Sequence, residues 1–267
     1  IKGQTKLFSE LGINYDYFDY ESKYLWSKEV TKILNKLKKT KKVFVDEHKR
    51  NVLDQSKFKL AMKSPVLVLT RSDGTSLYPL RDITYNLDKI KKADKNIVVL
   101  GEDHKLYFLQ LKAALSLLKI KAPEVIHYSF ILLKKGKMST RKGNLVMLED
   151  FMKECREKAK KEIIKRHGKV KNLDKLTKII GYGALKYSIL KVSPDKNVLF
   201  DWEKALNFEG DSGPYIQYAY ARASSILRKG KIGKVDYSVL KDEINLIEVL
   251  KKFPEIVLKE KPHLIAN

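Results

Sequence analysis

Between residues 97 and 133 the sequence alternates in a way that few architectures can absorb. Ile97 to Leu100 is a short apolar run, Leu106 to Leu118 carries an apolar helical pattern, and Val125 to Leu133 is a second apolar run. Short continuous apolar runs suit strands buried on both faces, and such strands need crossover helices between them. The order strand, helix, strand therefore predicts a parallel, doubly wound α/β sheet. After residue 150 the texture changes. Leu148 to His167, Leu173 to Val192, about Tyr215 to Arg228 and Leu240 to Phe253 read as helices, the last ended by Pro254, and Val198 to Trp202 is the one short β-like run left. An α/β part is thus expected to give way to an all-helical part near residue 205.

The earlier stretches fit the same scheme. Residues 15–20 alternate aromatic with polar residues, as a short strand would, and residues 23–39 form one helical pattern with Leu25, Val30, Ile33, Leu34 and Leu37 on or near one stripe. Val43 to Val45 and Val66 to Leu69 read as strands, with residues 46–56 a polar connection. Asp73-Gly74 is a turn signal between apolar runs. Pro79 cannot donate to a sheet, and Ile83 to Ile90 reads as a helix with Asp82 near its start. Two readings stand for Asp82: a cap on backbone N–H groups, or an acidic ligand. Tyr78 reads by default as a half-buried aromatic. Asp211-Ser212-Gly213-Pro214 carries a capping residue and a first-turn proline, which marks a helix start.

Composition narrows the partner. Lys and Arg number 55 against 32 Asp and Glu, a net charge of +23, and this excess favours a polyanion such as nucleic acid. The apolar fraction of 43% supports a sizeable core, yet no apolar run approaches the roughly 18 residues that span a bilayer. The first fifteen residues are mixed and polar, unlike a signal peptide. One cysteine, Cys155, forms no internal disulfide, so a reducing compartment is expected. Five scattered histidines give no metal-ligand pattern.

The basic stretch from Lys134 to Gly143 holds four lysines, one arginine, two hydroxyl residues and two glycines. Glycines let such a loop bend, and its cations and hydroxyls can converge on a triphosphate. A solvated turn is the competing reading.

Four motifs in order resemble the class I aminoacyl-tRNA synthetases, and the arginyl enzyme in particular. Lys137-Met138-Ser139-Thr140-Arg141-Lys142-Gly143 is similar to that family's KMSKS loop. Asp73-Gly74-Thr75, Leu77-Tyr78 and Arg81-Asp82-Ile83 resemble its amino-acid segment, and Gly101-Glu102-Asp103-His104 the turn after its fourth sheet strand. Asn207 to Tyr218, with Ala221-Arg222, resembles the entry to its helical anticodon-binding domain. The resemblance implies residues 1–150 as part of a Rossmann-like catalytic domain, 151–205 as a helical stem-contact region, and 206–267 as the start of the anticodon-binding domain. It implies an arginine–tRNA ligase of protein biosynthesis, a cytoplasmic monomer that uses arginine, ATP with Mg²⁺, and tRNA(Arg).

The roles it implies are specific. Lys137, Ser139 and Arg141 act on the phosphates during catalysis, and Met138 and Thr140 complete the ATP loop. Gly101 and Asp103 approach the adenosine. Tyr78, Asp82 and His104 bind arginine, His104 standing where some members carry glutamine, with a purely structural histidine as the other reading. Arg222 and Arg228 touch tRNA phosphates, and Lys160, Lys161, Arg166, Lys169, Lys186 and Lys229 are further candidates for such contacts or for a solvated surface. Tyr218 and Tyr220 either stack on bases or pack into a core. The family's HIGH motif has no match here and is expected upstream of Ile1, with further helices beyond Asn267. On that reading the chain is a fragment, inactive alone. A glutaminyl or class I lysyl enzyme, a non-catalytic RNA-binding paralogue, and a nucleotide-binding domain unrelated to tRNA are the alternatives.

Overall fold

The computed structural model describes residues 2–133, 136–137, 147–231, 233–234, 238, 240–241, 243–259 and 261–266. The chain divides into two compact units, residues 15–128 and residues 1–14 with 129–267.

The chain opens in the second of these with α1 (Lys2–Glu10). The first unit then begins with an extended stretch. The strand anticipated at residues 15–20 does not form, and its aromatic residues Tyr15, Tyr17, Phe18 and Tyr20 are exposed. Alternation alone makes no strand when no neighbouring backbone accepts its hydrogen bonds. The helix expected over 23–39 is two helices, α2 (Glu21–Trp26) and α3 (Lys28–Lys39), because Ser27 between them is extended, with φ −83° and ψ 142°. On α3 the apolar stripe falls as the spacing requires, with Val30, Ile33 and Leu37 buried.

Three strands follow: β1 (Val43–Val45), β2 (Asn51–Asp54) and β3 (Val66–Val68), antiparallel in the order β1-β2-β3. The middle strand lies in the segment read as a polar connection. Asn51 and Asp54 flank only two apolar residues, Val52 and Leu53, but both are buried and pair with β1 and β3. Then come α4 (Tyr78–Lys89), β4 (Ile97–Gly101), α5 (Lys105–Leu117) and β5 (Glu124–Tyr128), with β4 and β5 parallel. This is the strand–helix–strand crossover predicted from the alternation, but the strands are not buried on both faces: Ile97, Val99, Ile126 and Tyr128 are exposed. Leu37, Leu53, Leu69, Leu80, Ile83, Phe108 and Leu115 form the core of this unit.

In the other unit β6 (Ile131–Leu133) lies between β7 (Gly136–Lys137), antiparallel to it, and β8 (Val198–Phe200), parallel to it. The apolar run read as one strand from Val125 to Leu133 is therefore two strands. They are separated at Ser129 and Phe130, whose backbone N–H groups donate instead to Pro194 O, at 2.7 Å, and to Asn197 Oδ1, at 3.1 Å. Helices α6 (Leu148–His167) and α7 (Leu173–Leu190) pack through Met152, Cys155, Ala159, Tyr182, Ala184 and Leu185. Burial pushes the Cys155 thiol up to about 12.

After α8 (Trp202–Ala205), helix α9 (Gly213–Lys229) starts as its sequence signature predicts. Ser212 Oγ accepts from Tyr215 N at 3.2 Å, and Pro214 occupies the first turn. A Cβ on Gly213 would lie 2.6 Å from the carbonyl oxygen of Gly183, so only glycine allows this approach of α9 to α7. Helix α10 (Glu243–Leu258) runs through Pro254 rather than ending at it, at the cost of one backbone donor, and α11 (Pro262–Ala266) follows. No helix among the described residues is long and apolar enough to cross a membrane.

Candidate functional site

The turn before α4 sets the first part of the site. Thr70 and Ser76 bridge across a tight reversal in which Arg71 N donates to Thr75 O at 2.8 Å. Gly74 takes φ +84°, a value that favours glycine, and Asp73 Oδ1 accepts from Thr75 N at 2.8 Å. The chain leaves the turn extended at Leu77 and enters α4 at Tyr78, with Pro79 in the first turn, where its missing N–H has no helical partner to lose. Asp82 is thus one turn inside the helix and does not cap it, since the capping position is Leu77. The cap reading of Asp82 fails because the helix, with Pro79 in its first turn, begins at Tyr78, five residues earlier than the apolar run suggests.

Asp82 and Tyr78 are four residues apart and so share a helix face. Asp82 is half-buried, and its Oδ2 accepts from the Tyr107 hydroxyl at 2.5 Å. Among the described residues no donor reaches Oδ1. Burial raises the Asp82 carboxyl above the usual carboxylate range. The Tyr107 hydrogen bond opposes this, Glu21 adds to it, and Lys89 and Arg81 work against it. Arg81 is a poor partner because its guanidinium is already engaged, Nε with Glu21 Oε1 at 2.6 Å and an outer nitrogen with Ser76 O. A desolvated carboxylate with one open oxygen and incomplete cationic compensation is a receptor for a cation.

The second part lies at the carboxyl end of β4, where open α/β sheets hold ligands. Gly101 ends the strand, Glu102–His104 makes one 3-10 turn, and α5 begins at Lys105. Gly101 has an ordinary extended backbone, and a Cβ there would meet the Asp103 carboxylate at 2.5 Å. Asp103 and His104 are exposed, with His104 Nε2 3.8 Å from Asp103 Oδ2. Tyr107, on the first turn of α5, is the residue that joins the two parts. Its ring centroid lies 5.0 Å from that of Tyr78 and 6.4 Å from that of His104. The structure therefore brings Tyr78, Asp82 and His104 to one place around a residue that the sequence reading did not single out. Its only local signal is the three-residue spacing from His104 on a helix that follows the Gly101 turn. Tyr78 is 53% exposed rather than half-buried, which leaves its ring available to a ligand.

A cavity of about 390 Å³ is lined by Glu21, Ser22, Arg71, Ser76 and Arg81 but by neither Asp82 nor Tyr107. Its arginine–glutamate pair is already satisfied.

In the other unit, the backbone of Lys137 pairs with Leu132 in the edge strand β7. Met138, Ser139, Thr140 and Arg141 lie outside the described residues. Arg222 and Arg228 are exposed on α9, where an Arg222 guanidinium nitrogen donates to the Tyr218 hydroxyl at 3.4 Å. Tyr218 and Tyr220 are 52% and 75% exposed, so neither is a core residue. Two other basic candidates have internal partners. Lys186 Nζ donates to Leu11 O at 3.0 Å, and Arg166 pairs with Glu162 at 2.6 Å while lying over the Phe208 ring. Among the described residues no group of three or more His, Cys, Asp or Glu gathers as a metal site.

The family model for the catalytic domain of the class I tRNA synthetases of the arginine type matches residues 4–202, and that for the DALR anticodon binding domain matches residues 216–267. The arginine–tRNA ligase of Methanocaldococcus jannaschii is 40% identical over 277 residues, covering 100% of this chain and 47% of that protein. That of Methanococcus aeolicus is 39% identical over 282 residues, covering 100% and 48%. The chain thus spans about half the length of the curated relatives it matches. Among solved structures, the arginyl-tRNA synthetase of Thermus thermophilus superposes with a TM-score of 0.85 at 27% identity, covering 98% of this chain and 52% of that one.

Proposed function

The chain belongs to the class I tRNA synthetases of the arginine type, and from that premise we propose that it carries the arginine site and part of the ATP site of an arginine–tRNA ligase. The reaction has two steps. A carboxylate oxygen of arginine attacks the α-phosphorus of ATP, the bond to the β-phosphate oxygen breaks, and pyrophosphate leaves. A ribose hydroxyl at the tRNA 3′ end then attacks the carbonyl of the mixed anhydride, and AMP leaves.

The observation that carries this reading is Asp82. Its half-buried carboxylate is held at one oxygen, meets no donor at the other among the described residues, and is raised above the usual range by burial. A guanidinium supplies two parallel donors and a permanent positive charge, which is what such a carboxylate lacks. The exposed face of Tyr78 receives the same planar cation by stacking. His104 contacts the polar end of the amino acid, and Gly101 with Asp103 approaches the adenosine.

Lys137, with Ser139 and Arg141, stabilises negative charge on the phosphates as pyrophosphate departs. Met138 and Thr140 belong to the same ATP loop. Mg²⁺ would come with ATP and would help screen its charge; among the described residues no acidic cluster gathers to hold the ion. Arg222 and Arg228, exposed on α9, contact tRNA(Arg) phosphates, which position the RNA without reading its sequence. Residues 1–150, 151–205 and 206–267 then serve as catalytic, stem-contact and anticodon-binding segments of a monomeric cytoplasmic enzyme.

The test is amino-acid-dependent ATP–pyrophosphate exchange by the natural full-length protein. Arginine is expected to support exchange, while lysine and the uncharged analogue citrulline are not. Exchange with lysine in place of arginine would sink the proposal and favour a lysyl-type enzyme.

A further inference from the structure

We infer that Tyr107 is a positioning residue for the amino-acid substrate: its hydroxyl fixes the plane of the Asp82 carboxylate and turns the open oxygen toward the ligand. The inference rests on the proposed role of Asp82 and extends it to a residue outside the family motifs identified in the sequence.

The geometry is asymmetric. The carboxylate has two oxygens and about four lone-pair directions. Tyr107 occupies one of these at Oδ2, at 2.5 Å, and none at Oδ1. An aspartate on an isolated helix turns freely about its last side-chain bond, since that torsion is broad. Here rotation would break a charge-assisted hydrogen bond in a partly desolvated place, so one orientation is favoured. Three lone-pair directions remain for a guanidinium, enough for two parallel donors.

Tyr107 is suited to holding that orientation. It projects from the first turn of α5, so its position is set by a different element from the one carrying Asp82. Its ring is half-buried and lies close to the Tyr78 and His104 rings. Burial and the facing Asp82 charge push its hydroxyl well above the usual tyrosine range, so it stays a proton donor throughout the working pH. The charged and titratable groups around the pair are Glu21 from α2, Arg81 and Lys89 from α4, Tyr78 at the start of α4, and His104 beside α5. Glu21 and burial oppose ionisation of Asp82, whereas Tyr107, Lys89 and Arg81 favour it. Removing the Tyr107 hydroxyl therefore shifts Asp82 toward its neutral form, which cannot pair with a cation.

The experiment compares wild type, Tyr107→Phe and Asp82→Asn in the natural full-length protein by arginine-dependent ATP–pyrophosphate exchange between pH 5 and 8. Tyr107→Phe keeps the ring stack and removes only the donor. It is expected to raise the KM for arginine about tenfold or more, the usual worth of a hydrogen bond to a charged group, and to leave the KM for ATP in place. The acid limb of kcat/KM for arginine should also move to higher pH. A thermal melt checks the fold. Where the phenylalanine variant does not fold, Tyr107→His, which keeps a ring donor, is read on the same two measures with a smaller expected shift. Loss of arginine dependence in Asp82→Asn together with an unmoved KM and acid limb in the Tyr107 variant overturns this inference alone. An unmoved arginine KM in Asp82→Asn overturns it together with the reading of Asp82.

Discussion

Asp82 and Arg222 carry opposite charges in opposite settings. Asp82 is half-buried in the unit of residues 15–128, with one donor on one oxygen and burial working against its ionised form. Arg222 stands exposed on α9 in the other unit, near exposed Tyr218 and Tyr220. Low local dielectric magnifies the first charge, and water and salt diminish the second. A single buried acid can therefore decide which small molecule binds. Exposed cations act as a group, each adding a modest, salt-sensitive share to the hold on a polyanion. The helical unit places its precision elsewhere, in packing such as the contact of Gly213 with the α7 backbone.

The comparison is broken most directly at Asp82. Asp82→Ala is expected to lower kcat/KM for arginine about thirtyfold or more, since truncating one partner of a desolvated charge pair costs on the order of 2–5 kcal/mol. The KM for ATP should change far less. Next comes Gly213→Ala, whose new methyl meets a carbonyl oxygen and backbone carbon of Gly183 at 2.6 and 2.8 Å. Neither neighbour is a flexible side-chain end, so a loss of about 1–3 kcal/mol in stability is expected, read as a lower urea midpoint. Arginine recognition should remain in the folded fraction. The smallest effects belong to Arg222→Ala and Arg228→Ala. Each should reduce the salt slope of tRNA binding by about 1 or less, uniformly across tRNA sequences. A hundredfold loss from Arg222→Ala alone would mean that this surface also relies on a single decisive charge, and the contrast between the units would fail.

Much of the fold was legible because its signals are local. The apolar stripe of α3, the Asp73-Gly74 reversal, the extent of α6 and the Ser212–Pro214 start of α9 each depend on residues within a turn or two. The errors lie where local signals compete with distant partners. Residues 15–20 alternate like a strand but have no neighbouring strand to pair with among the described residues, whereas the brief Val52-Leu53 pair becomes a central strand between β1 and β3. The apolar run from Val125 to Leu133 is interrupted because Asn197, far along the chain, takes the backbone N–H of Phe130. Pro254 reads as a stop, yet α10 passes it, since one missing donor does not outweigh the rest of the helix.

The site divides the same way. Residue type and spacing by themselves determined that Gly101 follows a strand and that the chain carries a strong excess of positive charge. They also carried the family resemblance, which rests on the identity and order of motifs. That Tyr78 and Asp82 share a helix face emerged only with the start of α4 at Tyr78. Only the tertiary structure decided that Asp82 lies inside its helix, that Arg81, Arg166 and Lys186 have internal partners, and that Tyr107, 25 residues from Asp82, holds its carboxylate. The physical reason is range. Periodicity reports which way a side chain leaves its own backbone, but the charge state and orientation of a carboxylate depend on which groups from other elements exclude water around it.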